Sequence, residues 1–186
     1  MFSHIRSTVF GLAFACIYTL LPLISCTKEY MADTFIGDYT FKTIGKLSAY
    51  ELSITDGITH PTGDNELFIL ETVSGTAKIF RSTGVAENSL KILVEYDNGE
   101  TVILDATVSR ANNLDISTYT RNVRLYDKSG KNITYDGRLS LTGTGGSVDG
   151  ILSIKIFPKG PFDIGTRKYG FMSGDIMTIA TKQNIE

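Results

Sequence analysis

The sequence predicts an all-β fold, a small antiparallel up-and-down barrel of about eight to ten strands. Short segments rich in Val, Ile, Leu, Tyr and Thr recur from residue 37 onward and are separated by Gly, Asn and Asp. Apolar and polar residues alternate within these segments, which is the period of a strand with one buried face. No helical crossover joins the segments, and this excludes the α/β folds.

The predicted strands follow one another closely along the chain. They are 37–44, 47–55, 66–73, 76–82, 90–96, 100–108, 121–127, 131–141, 149–157 and 174–181. Long strands with one apolar face suit a closed or nearly closed barrel, because an open sheet would leave bare edges that invite pairing with other chains. A β-sandwich is the alternative architecture.

The turn after strand 90–96 predicts the register of its hairpin. A three-residue loop from Asp97 to Gly99 pairs Val94 with Val102 and Ile92 with Leu104, which gathers the apolar side chains on one face. A two-residue loop would mix polar and apolar side chains on each face. We therefore expect the three-residue loop, with Gly99 in the left-handed conformation.

The same argument applies to the hairpin between strands 121–127 and 131–141. A loop from Lys128 to Gly130 would set Leu125 opposite Ile133 and Val123 opposite Tyr135. This register again places the apolar side chains on one face. The following strand keeps that parity through Leu141, with Gly137 on its inner face leaving room for a bend.

The N-terminal residues 1–25 are predicted to be a signal peptide. Arg6 precedes an apolar run, residues 9–24, that contains Pro22 and is followed by the small residue Ser25. A membrane-spanning helix needs about 20 apolar residues, and this run is shorter and ends like a cleavage site. We therefore expect the protein to be exported across the inner membrane.

The four residues Leu23-Ile24-Ser25-Cys26 resemble the lipobox of bacterial lipoproteins. The resemblance implies that Cys26 is lipidated and becomes the first residue of the mature protein. Two or three acyl chains hold a protein stably on a membrane, whereas one does so only marginally. We expect residues 26–35 to be a lipidated tether and residues 36–186 to form a single domain. Because Cys16 is removed with the signal, no intramolecular disulfide is expected.

Gly37-Asp38-Tyr39, at the start of the first strand, resembles the opening of lipocalins and other calycins, in which an aromatic side chain closes one end of the barrel. Together with the lipobox, the chain resembles the calycin-like β-barrel lipoproteins of Gram-negative bacteria. This resemblance implies a barrel whose interior can hold an apolar small molecule. The candidate interior residues are Tyr39, Phe41, Tyr50, Leu52 and Tyr135.

The sequence contains no constellation that predicts catalysis, a metal site or a cofactor. His60 is the single histidine after the signal peptide, it lies in a Gly-rich loop, and Cys26 is committed to lipid. Asp56, Asp64 and Asn65 in that loop are oxygen ligands of the kind that calcium takes, and this stays an alternative. The 18 basic and 20 acidic side chains give a net charge of −2, which does not suit nucleic-acid binding.

We therefore expect a non-enzymatic lipoprotein of the cell envelope, held on the membrane by the lipid on Cys26. Thr27 is not the Asp that retains some lipoproteins in the inner membrane, so the outer membrane is favoured. The expected function is binding of an apolar or amphipathic small molecule. The alternative is a structural or protein-binding role for residues 158–173, predicted as a long loop with aromatic residues.

Overall fold

The computed structural model describes residues 31–55, 58–81, 86–109 and 111–183. Within them, a short 3-10 helix at Met31–Phe35 is followed by nine strands. The strands are β1 Gly37–Thr55, β2 Ile58–Phe80, β3 Ser89–Tyr96, β4 Thr101–Val108, β5 Leu114–Tyr126, β6 Ile133–Val148, β7 Ile151–Lys159, β8 Phe162–Ile164 and β9 Arg167–Lys182. The predicted signal peptide and Cys26 lie outside the described residues.

The strands close into a barrel. Each of β1 to β6 pairs antiparallel with the next strand, β7 pairs with β9, and β9 pairs back onto β1. In the described part of the chain this makes a ring of eight strands, and the short β8 adds to β9 outside the ring. The prediction of an all-β, up-and-down barrel is confirmed.

Side chains alternate between the two faces of the barrel wall. In β3, Leu90, Ile92, Val94 and Tyr96 are buried, while the residues between them are more exposed. The same period of two runs through the other long strands, because successive side chains of a strand point to opposite faces. The buried apolar residues form one core that extends through the barrel. Full burial of each large apolar side chain contributes about 1.5–3 kcal/mol.

The hairpin between β3 and β4 has the predicted register. Val94 lies opposite Val102 and Ile92 lies opposite Leu104. Gly99 has a φ of 87°, and its amide donates a 2.8 Å hydrogen bond to the carbonyl oxygen of Tyr96. The three-residue loop and its left-handed glycine are therefore confirmed.

The predicted register of the hairpin between β5 and β6 is wrong by two residues. Leu125 pairs with Tyr135 and Val123 pairs with Gly137. The loop is longer than predicted because the carboxylate of Asp127 accepts hydrogen bonds from the Ser129 amide at 3.0 Å and the Asn132 side chain at 2.6 Å. A shift of two residues preserves the alternation, so Val123 and Leu125 keep the buried face. Ile133 does not, because it pairs with Tyr126 beyond a bulge and is 54% exposed.

Several predicted boundaries differ from the structure. Predicted strands 37–44 and 47–55 are one strand, as are 66–73 and 76–82. The predicted loop 158–173 is wrong, because it contains β8 and the start of β9, which pair as a hairpin. Residues 31–35 of the predicted tether form the 3-10 helix, in which Phe35 is completely buried. The folded domain thus includes residues before the predicted boundary at 36.

Candidate ligand-binding cavity

The barrel encloses a small cavity with a volume of about 70 Å³, to which all eight strands of the ring contribute. Most of its lining is aliphatic, with Phe41 at one side. The polar side chains that reach it are Tyr39, Thr43, Tyr96, Tyr119, Arg121 and Thr178. The interior is therefore an apolar space with a few convergent polar groups, which is the composition of small-molecule sites.

The 3-10 helix closes one end of the barrel, which we call the lower end. The Tyr39 hydroxyl donates a 2.8 Å hydrogen bond to the carbonyl oxygen of Phe35, and both side chains are almost fully buried. Burial raises the pKa of Tyr39. Tyr39 thus ties the start of β1 to the 3-10 helix at this end of the barrel.

Five aromatic rings fill the other end, the upper end. Phe162 is central, with ring centroids 4.9 Å from Phe171, 5.2 Å from Tyr135, 5.6 Å from Tyr169 and 5.9 Å from Phe68. This aromatic cluster packs above the cavity. Such ring pairs contribute about 0.5–1.5 kcal/mol beyond their buried area.

Polar groups cover the aromatic cluster. The Tyr169 hydroxyl donates a 3.0 Å hydrogen bond to Glu66, and a guanidinium nitrogen of Arg167 lies 3.8 Å from both Glu51 and Glu66. Both carboxylates lie beside this single cation, which balances part of their charge. The upper end is therefore closed by side chains that hold one another in place.

Arg121 is the charged side chain that lines the cavity. It is 7% exposed, and its Nε donates a 3.0 Å hydrogen bond to the carbonyl oxygen of Asn122. Its guanidinium carbon lies 4.5 Å from the centre of the Tyr96 ring. Among the described residues, no carboxylate lies within 4.0 Å of its nitrogen atoms. A buried cation without an anionic partner is costly, because its hydration is not replaced by an opposite charge.

Two tyrosines flank this cation. Burial raises the pKa of Tyr96, and the Arg121 charge opposes part of that rise. Burial also raises the pKa of Tyr119, and Tyr96 adds to the rise. Both phenols are therefore neutral at physiological pH and able to donate hydrogen bonds. Elsewhere in the lining, the hydroxyls of Thr43 and Thr178 lie 2.7 Å apart and form a hydrogen bond with each other.

The structure brings together some of the predicted interior residues and separates others. Tyr39 and Phe41 line the cavity, whereas Tyr135 belongs to the aromatic cluster. The prediction that Tyr50 and Leu52 point inward is wrong: they line a groove on the outside of the barrel. Because β1 is one continuous strand, its odd-numbered positions face inward, and Glu51 takes the inward place between them to contact Arg167.

Sequence reasoning missed Arg121, although the signal was present. The predicted inward residues Val123 and Leu125 set the parity of β5, and two residues earlier that parity reaches Arg121. An arginine at an inward position among apolar residues indicates a buried charge in the barrel interior.

The predicted loop around His60 is part of the long hairpin of β1 and β2. His60 is exposed and lies opposite Ser53. Asp56, one of the three calcium candidates, lies outside the described residues. In the described ranges there is no cluster of three or more His, Cys, Asp or Glu side chains that could hold a metal ion.

Comparisons with known proteins add no family. A scan against protein-family models, a search of curated proteins and a search of solved structures each found no match. Among the described residues, no helix has the length and hydrophobicity needed to cross a membrane.

Proposed function

We propose that this chain is a lipoprotein of the bacterial envelope whose barrel binds one small amphipathic molecule without catalysis. The observation that carries the proposal is the cavity of about 70 Å³, which has an aliphatic lining and one buried cation. A core built only for stability has no need of an unpaired Arg121, since replacing buried charges with apolar residues is often neutral or stabilising.

The anchoring part of the proposal comes from the sequence. The lipobox-like residues Leu23 to Cys26 end five positions before Met31, where the 3-10 helix begins. Because this helix closes the lower end of the barrel, a lipid on Cys26 would keep that end toward the membrane. The outer membrane is the proposed location.

The cavity volume limits the ligand. A cavity of about 150 Å³ is known to accept benzene, and a water molecule occupies about 30 Å³ in the liquid. The 70 Å³ available here therefore suits a ligand of a few heavy atoms. A long acyl chain would require the barrel to open.

Native mass spectrometry of the mature protein, purified from membranes in detergent, tests the binding function. We expect a small bound molecule on the wild-type protein. Ala180→Leu should lose it, because Ala180 lines the cavity and the larger side chain fills the space. Thr181→Leu is the matched control, since Thr181 is the next residue in β9 and its side chain is exposed. Equal occupancy in both variants, or an empty wild-type barrel, would contradict the proposal.

The lipid anchor has a separate test. Intact mass measurement of the mature protein should show acyl chains on the N-terminal residue, and Cys26→Ser should abolish both the added mass and the membrane association. Fractionation of inner and outer membranes then tests the location. An unmodified Cys26 would refute the anchor without bearing on the cavity.

An outer groove favours protein binding as a second candidate. Tyr50 and Leu52 line it together with Pro158, Pro161 and Phe171, and its volume is about 470 Å³. Part of it belongs to residues 158–173, the segment for which a partner surface is predicted. A photo-crosslinking residue at position 50 should capture a protein in intact cells, and a crosslinker at the exposed position 181 should not. The same captured proteins at both positions would argue against this candidate.

A further inference from the structure

We propose that Arg121 binds the carboxylate of a small organic acid, and that this anion reaches it through the side of the barrel, between β4 and β5. The inference rests on the proposed ligand-binding function and adds to it the chemical class of the ligand, the residue that recognises it and the route.

The barrel wall has a gap in its hydrogen-bond ladder beside Arg121. In the described chain, β4 and β5 pair only at their lower ends, where Ala106–Val108 meets Leu114–Ile116. The upper half of β4, residues 101–105, pairs with β3 alone. The facing part of β5, which contains Tyr119 and Arg121, pairs with β6 alone. Neither stretch hydrogen-bonds to the other.

The gap, which we call the side opening, has defined limits. Its floor is the pair Ala106 and Ile116. Its roof is the pair Leu70 and Leu125, where β2 reaches across the end of the β3–β4 hairpin to join β5. Near the roof, Arg124 and Glu71 form a salt bridge of 3.1 Å between β5 and β2. Because β5 is hydrogen-bonded to β2 above the side opening and to β4 below it, the gap lies within the barrel wall and is not the loose end of a strand.

Partly exposed side chains stand at the two sides of the opening. Val102 on β4 and Tyr119 on β5 are each partly exposed, although both belong to the inward-facing parity of their strands. Arg121, two residues above Tyr119, is 7% exposed. The opening therefore leads inward past Val102 and Tyr119 to the buried guanidinium.

The chemistry at the end of this route is that of an anion site. A guanidinium presents several N–H donors in a planar fork that matches a carboxylate. In Arg121 the Nε donor is held by the Asn122 carbonyl, and the face of the fork is held against Tyr96. The neutral Tyr119 phenol on the same face of β5 offers a further donor. Glu100, at the tip of the β3–β4 hairpin, acts on Tyr96 but forms no salt bridge with Arg121.

The remainder of the cavity selects the rest of the ligand. Most of the lining beyond Arg121 is aliphatic, and the total volume is about 70 Å³. A carboxylate with a chain of two or three carbons fits this description, whereas a long fatty acid does not. Propionate is therefore the probe of choice, with propionamide as its neutral analogue and octanoate as the long-chain comparison.

Binding of these probes to the full mature protein can be measured by titration monitored with NMR. We expect propionate to bind at least about tenfold more tightly than propionamide, because hydrogen bonds to charged groups are the strong ones. Octanoate should bind more weakly than propionate. Arg121→Gln should weaken propionate binding by about tenfold or more. Arg138→Gln, which removes an exposed arginine on the neighbouring β6, should leave it unchanged.

A charge-preserving variant separates recognition from structure, and a pair of tryptophan variants tests the route. Arg121→Lys keeps the charge and should retain part of the affinity that Arg121→Gln loses, provided that both show a cooperative thermal transition. Val102→Trp should slow propionate association by about tenfold if the ligand passes the side opening, as obstructed access acts on the rate. Ile103→Trp, at the outward-facing and exposed neighbouring position, should not.

The possible outcomes are distinct. Equal binding of propionate and propionamide, or full binding by Arg121→Gln, overturns the anion site while leaving the barrel a ligand-binding protein. Unchanged association in Val102→Trp overturns the side opening as the route. If neither probe binds, this inference fails, and the bound molecule sought by native mass spectrometry decides the proposed function independently.

Discussion

The guanidinium carbon of Arg121 lies 4.5 Å from the centre of the Tyr96 ring, inside a barrel whose other cavity-lining residues carry no charge. The ring face compensates the cation in part, since cation–π contacts contribute about 0.5–2 kcal/mol. It does not replace an anion. The barrel therefore holds a cation that a carboxylate would stabilise further.

Replacing this cation should stabilise the empty protein. We expect Arg121→Met to raise the free energy of unfolding by about 1 kcal/mol, because an apolar side chain of similar length removes the desolvation cost of the buried charge. Urea denaturation in ligand-free buffer measures this. Arg138→Met, at an exposed site, is the control and should change stability little. Destabilisation by Arg121→Met would indicate that the arginine has a structural role.

The hydrogen bond that closes the lower end should contribute to stability. Tyr39→Phe removes the hydroxyl that donates to the buried Phe35 carbonyl and leaves that oxygen without its partner. We expect a loss of about 1–3 kcal/mol in the free energy of unfolding. Tyr50→Phe, on the outer face of the same strand, should cost much less. Equal effects in the two variants would show that the contact with the 3-10 helix contributes little.

A side chain at the left-handed glycine of the β3–β4 hairpin should destabilise the protein. Gly99 has open space around it, so the penalty of Gly99→Ala comes from its φ of 87° and should be about 1–2 kcal/mol. Gly146→Ala is the matched control, because a Cβ there would approach no atom closer than 3.9 Å and the φ is not positive. Denaturation midpoints compare the two. A neutral Gly99→Ala would mean that the loop has another conformation.

Stability should fall at alkaline pH because of the buried tyrosines. Burial raises the pKa of Tyr39, Tyr96 and Tyr119 above the ordinary value of about 10. Above that pH the unfolded chain loses protons that the folded protein still holds, so the free energy of unfolding decreases by about 1.4 kcal/mol per pH unit for each such tyrosine. Below pH 10 their contribution is constant.

Denaturation between pH 9 and pH 12 measures this slope. Tyr119→Phe should reduce the slope of unfolding free energy against pH by the contribution of one tyrosine, whereas Tyr50→Phe should leave the slope unchanged. A slope that is the same in both variants would show that Tyr119 ionises as readily in the folded protein as in the unfolded chain.

The sequence predicts the barrel because the patterns that determine its strands and hairpins lie within short stretches of the chain. The β3–β4 register follows from Val94, Val102 and one glycine turn, and all of them lie within a few residues of one another. The β5–β6 register was missed because the Asp127 side chain builds a wider loop, and a hydrophobic pattern does not report hydrogen bonds of that kind. Shifts of two residues leave the pattern unchanged.

The residues of the site were harder to predict for the same reason. Tyr50 and Leu52 could take the inward parity only if the segment 47–55 were a separate strand, whereas the parity of β1 is set over its whole length. The side opening depends on where β4 stops pairing with β5 and on β2 crossing to β5, and both are long-range features. Arg121 lay on the inward parity, but its isolation from carboxylates is visible only in three dimensions.

Arg121 is proposed to hold an anion inside the barrel. The most direct measurement is the ¹H–¹⁵N resonance of its Nε–H group, assigned by comparison with Arg121→Lys and followed during a propionate titration. We expect a saturable shift of this resonance, with no shift for the exposed Arg138 and none with propionamide. A resonance that stays fixed while propionate binds elsewhere in the protein would contradict it.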